Sequence, residues 1–215
     1  MLVRLKFTLF TGLVCLLLTT TNSFGQSPTT QKNYKQSEII KTSKDIKLTF
    51  PNVEGWDKSA ITTYPYAELG YSINYESEEG GRVTVYVYNG GRTKIPTGSQ
   101  DKIIKDEIDK AKFEIYQVEI MGKYKDVKEL KSETVNLGGL TGKVESLHSL
   151  FSFTAGKDKL SSDIFLFGYQ NHFIKIRATR MFEKEGTENQ MLISLLKALD
   201  KLFSGDGELV LASGN

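Results

Sequence analysis

Two aromatic and two basic residues lie in strand-like segments where every second side chain is expected on the same side. In "RVTVYVY", Tyr86 and Tyr88 alternate with valines, and in "HFIKIRATR" the basic residues alternate with isoleucines. Cations beside aromatic rings in a sheet can bind an anion or a carbohydrate-like ligand. Alternatively, these residues lie at an exposed margin of the sheet, or the apolar parts of the basic side chains pack under the edge of a helix. The candidate ligand-binding residues are Tyr86, Tyr88, Lys175 and Arg177.

A hydrolytic site is the main alternative. His148 lies in the middle of "SLHSLFSF" and would serve as a general base only beside a nucleophile and an orienting acid. Ser146 and Ser152 share its side of the strand, but serine is common in this chain. Glu145 and Asp163 would form a carboxylate pair if paired strands brought them together. Spacing alone assembles neither set, so we predict no catalytic residues.

The remaining polar residues form no metal or cofactor motif. The two histidines, His148 and His172, form no helical i, i+4 pair, so no zinc site is expected. His172 follows a predicted two-residue turn and is expected to be solvated. "LGGLTGKV" lacks the pattern of a phosphate-binding loop, and "GDGE" lacks the spacing of a calcium loop. We therefore predict no metal site and no cofactor.

Alternating segments rich in β-branched and aromatic residues predict strands. "EEGG" joins two of them and "QN" joins two others, which is typical of hairpins in an antiparallel sheet. The predicted strands are "IKLTF", "AITTY", "YSINYES", "RVTVYVY", "VKELKSETVNL", "GKVESLHSLFSFT", "SDIFLFGY" and "HFIKIRATR".

Two further segments have the periodicity of amphipathic helices. In each, a threonine and a glutamine have capping-box spacing and a glycine marks the end. The first has Thr97, Gln100 and Gly122, and its apolar stripe is Ile104, Ile108, Ala111, Ile115 and Val118. The second has Thr187, Gln190 and Gly205, and its stripe is Leu192, Leu195, Leu196, Leu199 and Leu202.

These elements predict an α+β fold, with a mostly antiparallel sheet of about six to eight strands packed with two amphipathic helices. Several strands are apolar on both sides, which indicates that both faces of the sheet are covered. If each helix covers its own face, Tyr86 and Tyr88 lie beneath a helix. If both helices share one face, these tyrosines form an open aromatic binding surface. We favour the first arrangement.

The N-terminus has the layout of a secretory signal peptide. Arg4 and Lys6 precede an uncharged apolar run of 12 residues, shorter than the roughly 20 that a membrane-spanning helix needs. Val14 before Cys15, the only cysteine, does not suit lipid attachment, and cleavage before Gln26 leaves a chain without cysteine. We predict a signal peptide at residues 1–25, a flexible polar leader at 26–44, a single domain at 45–204 and a C-terminal tail at 205–215.

The charge of the mature chain excludes one class of partner. The full chain has 28 Lys plus Arg against 26 Asp plus Glu, and the predicted signal peptide contains two of the basic residues and no acidic one. The mature chain is therefore formally neutral. Its leader carries +3, which leaves residues 45–215 with −3. A nucleic-acid-binding domain is expected to be basic, so we predict no nucleic-acid partner.

The stretch "LTFPNVEGWDKS" resembles the PsbP-like domains. It contains Phe50-Pro51 and Gly55-Trp56, followed by antiparallel strands and a terminal amphipathic helix. PsbP-like domains are small α-β-α sandwiches, named after an extrinsic subunit of the photosynthetic oxygen-evolving complex, and they have exported bacterial relatives. Here "NVE" separates Pro51 from Gly55, which departs from the commonest pattern. The resemblance implies a PsbP-like sandwich with a non-catalytic binding or assembly role, and it carries over no functional residues.

From these observations we predict an exported, non-enzymatic protein of the periplasm or cell envelope, or a secreted one. It would bind a protein partner or a small ligand and would have no stable membrane span after signal cleavage. One alternative is a secreted hydrolase that uses His148 or a carboxylate pair. A further alternative is a self-associating structural or adhesion protein.

Overall fold

The computed structural model describes residue 46, residues 48–182 and residues 189–205. The predicted signal peptide, the leader and the tail beyond Gly205 lie outside these residues. The described chain forms eight strands and two α-helices. They are β1 (Trp56–Lys58), β2 (Thr62–Thr63), β3 (Tyr71–Ser77), β4 (Arg82–Tyr88), α1 (Lys102–Ile120), β5 (Tyr124–Asn136), β6 (Glu145–Ala155), β7 (Asp158–Tyr169), β8 (His172–Met181) and α2 (Gln190–Ser204).

The strands form one antiparallel sheet. Their order is β1-β3-β4-β8-β7-β6-β5, and β2 pairs with β3 on the same edge as β1. Because β4 pairs with β8, the strands β1–β4 and the strands β5–β8 meet along one central seam. With two helices packed on it, this sheet confirms the predicted α+β class.

The hairpins lie where the sequence predicts them. β3 and β4 coincide with "YSINYES" and "RVTVYVY". Between β7 and β8, Gln170 and Asn171 have positive φ angles of 44° and 66°, the left-handed backbone that the favoured two-residue hairpin turn requires. β-branched and aromatic side chains at alternate positions pack well on such a pleated surface, which is why these segments form strands.

The predicted strand "IKLTF" is wrong. Its described residues, Ile46 and 48–50, belong to no strand, although Phe50 is buried in the core. β1 and β2 occupy the edge of β3 instead. The carbonyl groups of this segment therefore accept hydrogen bonds from side chains: the Tyr71 hydroxyl donates to Ile46 at 2.6 Å, and the Lys58 ammonium donates to Phe50 at 2.7 Å. "AITTY" contributes only the two residues of β2.

Helix α1 begins later than predicted, with Asp101 as its N-cap in place of Thr97. The Asp101 carboxylate accepts a hydrogen bond from the Ile103 amide at 2.8 Å. The reason for the difference is a contact distant in sequence: Gly98 pairs with Gly168 of β7 in an isolated antiparallel bridge. This bridge holds Gly98 in a non-helical backbone with φ of 91°, so a helix cannot start at Thr97.

Helix α2 also has a different N-cap from the predicted one. Asn189 caps it by accepting a hydrogen bond from an amide of the first turn, and Thr187 lies outside the described residues. At the other end Gly205 has a left-handed backbone with φ of 81° and ends the helix as predicted. Phe203 is buried near this end, whereas Leu202 is only half-buried.

The two helices cover opposite faces of the sheet. α1 buries its whole predicted stripe against β5, β6 and β7, and α2 packs on the other face against β3, β4, β7 and β8. Each helix therefore covers only part of its face. On this α1 side, α1 reaches only Tyr88 of β4 and Phe173 and Lys175 of β8. The rest of β3, β4 and β8 on that side has no α-helix packed over it among the described residues, and we name the α1 side of these three strands, from the edge of α1 outward, the open quarter.

Candidate functional site

The four predicted site residues lie on one face of the sheet. Tyr86 of β4 is paired with Lys175 of β8, and Thr84 is paired with Arg177. Paired residues project from the same face and alternate residues along a strand share that face. Tyr86, Tyr88, Lys175 and Arg177 therefore all lie on the α1 side, where the helix gives way to the open quarter.

Tyr88 is half-buried and packs against the apolar cluster under α1. Its hydroxyl donates a hydrogen bond to the Glu107 carboxylate at 2.8 Å, and its ring packs 5.4 Å from that of Phe173. Lys110 lies 3.6 Å from the same buried carboxylate. Burial, and then the negative charge of Glu107, raise the pKa of Tyr88 well above its usual value. Tyr88 therefore joins α1 to the sheet through its hydroxyl.

Lys175 connects α1 to the two tyrosine rings. Its ammonium lies 3.5 Å from the Glu114 carboxylate of α1, 5.1 Å from the centre of the Tyr86 ring and 5.6 Å from that of Tyr88. These are distances at which a cation is attracted to an aromatic face. Tyr86 itself is half-exposed and lies outside the apolar cluster under α1. Helix α1 therefore packs over Tyr88, whereas Tyr86 lies beside the helix.

Arg177 is the half-buried cation nearest the middle of the open quarter. Its Nε donates a hydrogen bond to the Ser162 hydroxyl at 3.2 Å, which fixes the plane of the guanidinium. The neighbouring cations are neutralised, Lys175 by Glu114 and Arg82 by Glu76. Arg177 has no ion pair with any carboxylate in the part of the chain that the structure describes. Its charge is therefore the one on this surface that a ligand could complement.

Short polar residues surround Arg177, and their role was not predicted from the sequence. The Thr84 hydroxyl donates to the Asn74 side chain at 2.7 Å, and the hydroxyls of Tyr64 and Ser72 are 2.8 Å apart. In β3, Ser72 and Asn74 alternate with the buried Ile73 and Tyr75. This alternation is visible in "YSINYES" and would have predicted a polar, helix-free face for β3.

His148 lies in a buried ionic cluster on the α2 side of the sheet. It is 8 % exposed. Its Nε2 is 2.8 Å from the Asp163 carboxylate, its Nδ1 is 3.4 Å from that of Glu133, and its ring stacks on Phe165. Arg180 also donates a hydrogen bond to Asp163. Burial by itself would raise the pKa of Asp163, but the hydrogen bond from His148 and the charge of Arg180 lower it below its usual value.

This cluster does not have the geometry of a hydrolase. Both ring nitrogens of His148 face carboxylates, and among the described residues no serine hydroxyl is hydrogen-bonded to it. Glu145 and Asp163 do not form a pair, because Glu145 lies on the α1 side of β6 and Asp163 lies on the α2 side of β7. Hydrogen bonds from Ser99 and Gln100 instead lower the pKa of Glu145.

The prediction that His172 is solvated is wrong. His172 is 7 % exposed, and its Nδ1 is 2.9 Å from the Gln170 carbonyl oxygen. In the tight turn that precedes His172, the backbone carbonyl of Gln170 contacts the imidazole. The turn residues Gln170 and Asn171 are exposed instead of the histidine. Within the described ranges no group of three or more His, Cys, Asp or Glu residues is arranged to hold a metal ion.

We expect Tyr88 to make the protein less stable in alkali. An unfolded tyrosine ionises near pH 10, whereas Tyr88, whose hydroxyl is bonded to Glu107, keeps its proton, so unfolding releases a proton at high pH. The free energy of unfolding should fall by up to about 1.4 kcal/mol per pH unit for this one group as the pH rises above about 10. Urea unfolding of Tyr88→Phe at several alkaline pH values should give a correspondingly smaller slope. Tyr66→Phe, at a tyrosine that is 61 % exposed, should keep the wild-type slope, and equal slopes for both variants would contradict the prediction.

The described helices and the comparisons with known proteins add two findings. None of these helices is long and apolar enough to cross a membrane. No model of a known protein family matches the chain, and no curated protein is similar to it. The PsbP-like resemblance therefore stays a prediction based on its own residues.

Proposed function

We propose that the protein is an exported, non-enzymatic binding module that takes an anionic ligand on the open quarter of its sheet. Arg177 is the observation that carries this proposal. Its guanidinium is half-buried, oriented by Ser162, and without a carboxylate partner among the described residues. A ligand carboxylate or other anion would form a charge-assisted hydrogen bond there, which is stronger than one between neutral groups. The ligand is a small molecule or an anionic group on a protein partner.

Export is supported by the N-terminal sequence. Basic residues, a short apolar run and a polar segment before Gln26 follow the order of a secretory signal peptide. The chain after that point has no cysteine, so its core alone must stabilise it outside the cell. A protein of the periplasm, the cell envelope or the extracellular space fits these features.

The two alternative functions have less support from the geometry. His148 lacks a serine partner among the described residues, which disfavours hydrolysis. Self-association through sheet edges is disfavoured by the edge strands themselves: β1 and β2 are short, and β5 is exposed, irregular and highly charged. Short, bulged and charged edge strands are the usual protection against pairing between chains.

Native mass spectrometry of the protein from the cells that naturally make it tests the proposal. Wild-type protein is expected to carry a reproducible added mass on a mature chain that begins at Gln26. Arg177→Ala should lose the added mass, because the ligand anion loses its counter-charge. Arg92→Ala removes an exposed arginine in the loop after β4 and is the matched control, which should keep it.

Two outcomes would contradict the proposal. One is a wild-type spectrum that contains the bare chain alone, and the other is an added mass that survives in Arg177→Ala. A chain that still begins at Met1 would contradict export separately from binding. The circular dichroism spectrum of Arg177→Ala should match that of the wild type, so that a loss of ligand is not a loss of fold.

A further inference from the structure

The strand register arranges the open quarter as three rows of three residues, which we name the polar tile. Each row crosses β3, β4 and β8 in that order. The rows are Ser72, Tyr86 and Lys175; Asn74, Thr84 and Arg177; and Glu76, Arg82 and Thr179. Strands are about 5 Å apart and alternate residues along a strand about 7 Å apart. The tile therefore measures about 10 by 14 Å, comparable with a disaccharide.

At β4 the middle row of the tile is lower than the rows on either side, whereas at β3 the residue of the first row, Ser72, is also short and buried. Thr84 is 5 % exposed and has a short side chain. On one side of it stand the Tyr86 ring and the Lys175 stem, and on the other side stands the ion pair of Arg82 with Glu76. The middle row is thus the floor of a shallow trough that runs across the strands, with Arg177 at its β8 end.

The floor of the trough offers neutral hydrogen-bonding groups. Because the Thr84 hydroxyl donates to the Asn74 carbonyl oxygen, the Asn74 amide nitrogen is left as a donor and the Thr84 oxygen as an acceptor. A ligand that lies on this floor must present both donors and acceptors. The hydroxyl groups of a sugar ring do both, and the apolar side of such a ring can pack against an aromatic side chain such as Tyr86.

At Arg177 the tile accommodates one anionic group that itself carries a single negative charge. Two of its three cations are already neutralised, Lys175 by Glu114 and Arg82 by Glu76. Arg177 alone has no carboxylate partner in the described part of the chain. A carboxylate carries one charge and matches the planar fork of a guanidinium, whereas a phosphate monoester carries nearly two charges at neutral pH. The tile therefore fits a carboxylate better than a phosphate.

From these features we infer that the ligand is a carboxylate-bearing saccharide that lies across the strands. Its carboxylate bonds to Arg177, a sugar ring packs beside Tyr86, and its hydroxyls meet Asn74 and Thr84. This inference rests on the proposed function, since it names the ligand class of the same surface. An acidic peptide fits less well, because extended peptides commonly bind by adding a strand to a sheet edge, and the tile is the face of three inner strands.

A titration followed by backbone amide NMR tests this inference on the mature chain. Three probes are used: digalacturonic acid, its dimethyl ester, and a short peptide of alternating glutamate and glycine. Digalacturonic acid is expected to shift the amide signals of Asn74, Thr84, Tyr86 and Arg177. The ester keeps the rings and removes the charges, so it should bind at least about tenfold more weakly.

Variants of the tile separate the contribution of the charge from that of the ring. Arg177→Ala should weaken digalacturonic acid at least about tenfold, and Arg92→Ala should leave the affinity unchanged. Tyr86→Phe keeps the ring and should bind within about threefold of the wild type, whereas Tyr86→Ala should bind at least about tenfold more weakly. The dispersion of each amide spectrum confirms that the variant is folded.

The failures of the two proposals are distinguishable. Equal affinities for the acid and its ester, or no shift with either, would overturn the carboxylated saccharide. If the peptide shifts the tile residues and digalacturonic acid does not, the saccharide is also overturned, but anion binding at Arg177 stands. If the added mass seen by mass spectrometry does not depend on Arg177, the proposed function itself fails.

Discussion

Replacing Asp163 by alanine is expected to lower the free energy of unfolding by about 3–5 kcal/mol. Asp163 is 4 % exposed, and its carboxylate is the shared partner of His148 and Arg180. The Arg180 side chain is only 17 % exposed. Removing the Asp163 carboxylate leaves the guanidinium charge of Arg180 without that partner. A buried charge that loses its partner is much more costly than a broken surface ion pair.

Urea unfolding at neutral pH measures this effect. Asp158→Ala is the matched control, because Asp158 is a half-exposed aspartate at the start of the same strand. The control should change the free energy of unfolding by less than about 0.5 kcal/mol. If Asp163→Ala loses no more than Asp158→Ala, the cluster does not stabilise the fold as its geometry indicates.

The same carboxylate determines a pH dependence whose sign can be worked out. The pKa of Asp163 is lower in the folded protein than its usual value, so the unfolded chain binds the proton more readily. The stability that Asp163 contributes is therefore fully present above about pH 5, and it is lost as the pH falls below about 4 toward the folded pKa. The difference in unfolding free energy between wild type and Asp163→Asn should shrink over that acid range, and a constant difference would contradict the assignment.

The second large effect is expected at Gly168, where alanine should lower the free energy of unfolding by about 3 kcal/mol or more. A Cβ atom at this position would lie 1.7 Å from the Pro96 carbonyl oxygen. Relief of that clash requires the Pro96 segment to move away from β7. The movement would break both hydrogen bonds between Gly98 and Gly168, which measure 2.8 and 2.9 Å.

A second glycine separates the clash from a general effect of adding a methyl group. Gly156 has open space around it, but its φ angle is 63°. Gly156→Ala should therefore lower the free energy of unfolding by about 1–2 kcal/mol, because alanine is strained in a left-handed backbone. Hydrogen exchange should also become faster at residues 95–100 in Gly168→Ala and stay unchanged there in Gly156→Ala. Equal losses of stability in the two variants would show that the Pro96 segment moves away from the added methyl group without lowering the free energy of unfolding.

Local patterns were sufficient to predict much of the fold. Alternation in "YSINYES", "RVTVYVY" and "HFIKIRATR" located β3, β4 and β8 and placed Lys175 and Arg177 on one face, because side chains alternate strictly along a strand. The helical stripes identified which side of α1 and α2 is buried. These features depend on neighbours within a few residues, so they can be read without knowing the rest of the fold.

The features that the sequence did not predict depend on contacts between distant segments. Asp101 replaced Thr97 as the N-cap because Gly98 bonds to Gly168. The same is true of the candidate site: the rotation and position of α1 decide that Glu114 neutralises Lys175 and that Arg177 has no such partner. No periodicity within α1 or β8 specifies how the two elements are placed against each other.

The central seam between β4 and β8 has a consequence for the order in which the protein can fold. β4 is made early and β8 late, with α1, β5, β6 and β7 between them. Pairings between segments so distant in sequence slow folding, often to milliseconds or seconds. Until β8 arrives, β4 has an unpaired apolar edge of the kind that pairs with other chains. We therefore expect that a chaperone must keep the new chain unfolded until synthesis has passed residue 181, the end of β8. Chains that end before β8 are expected to aggregate.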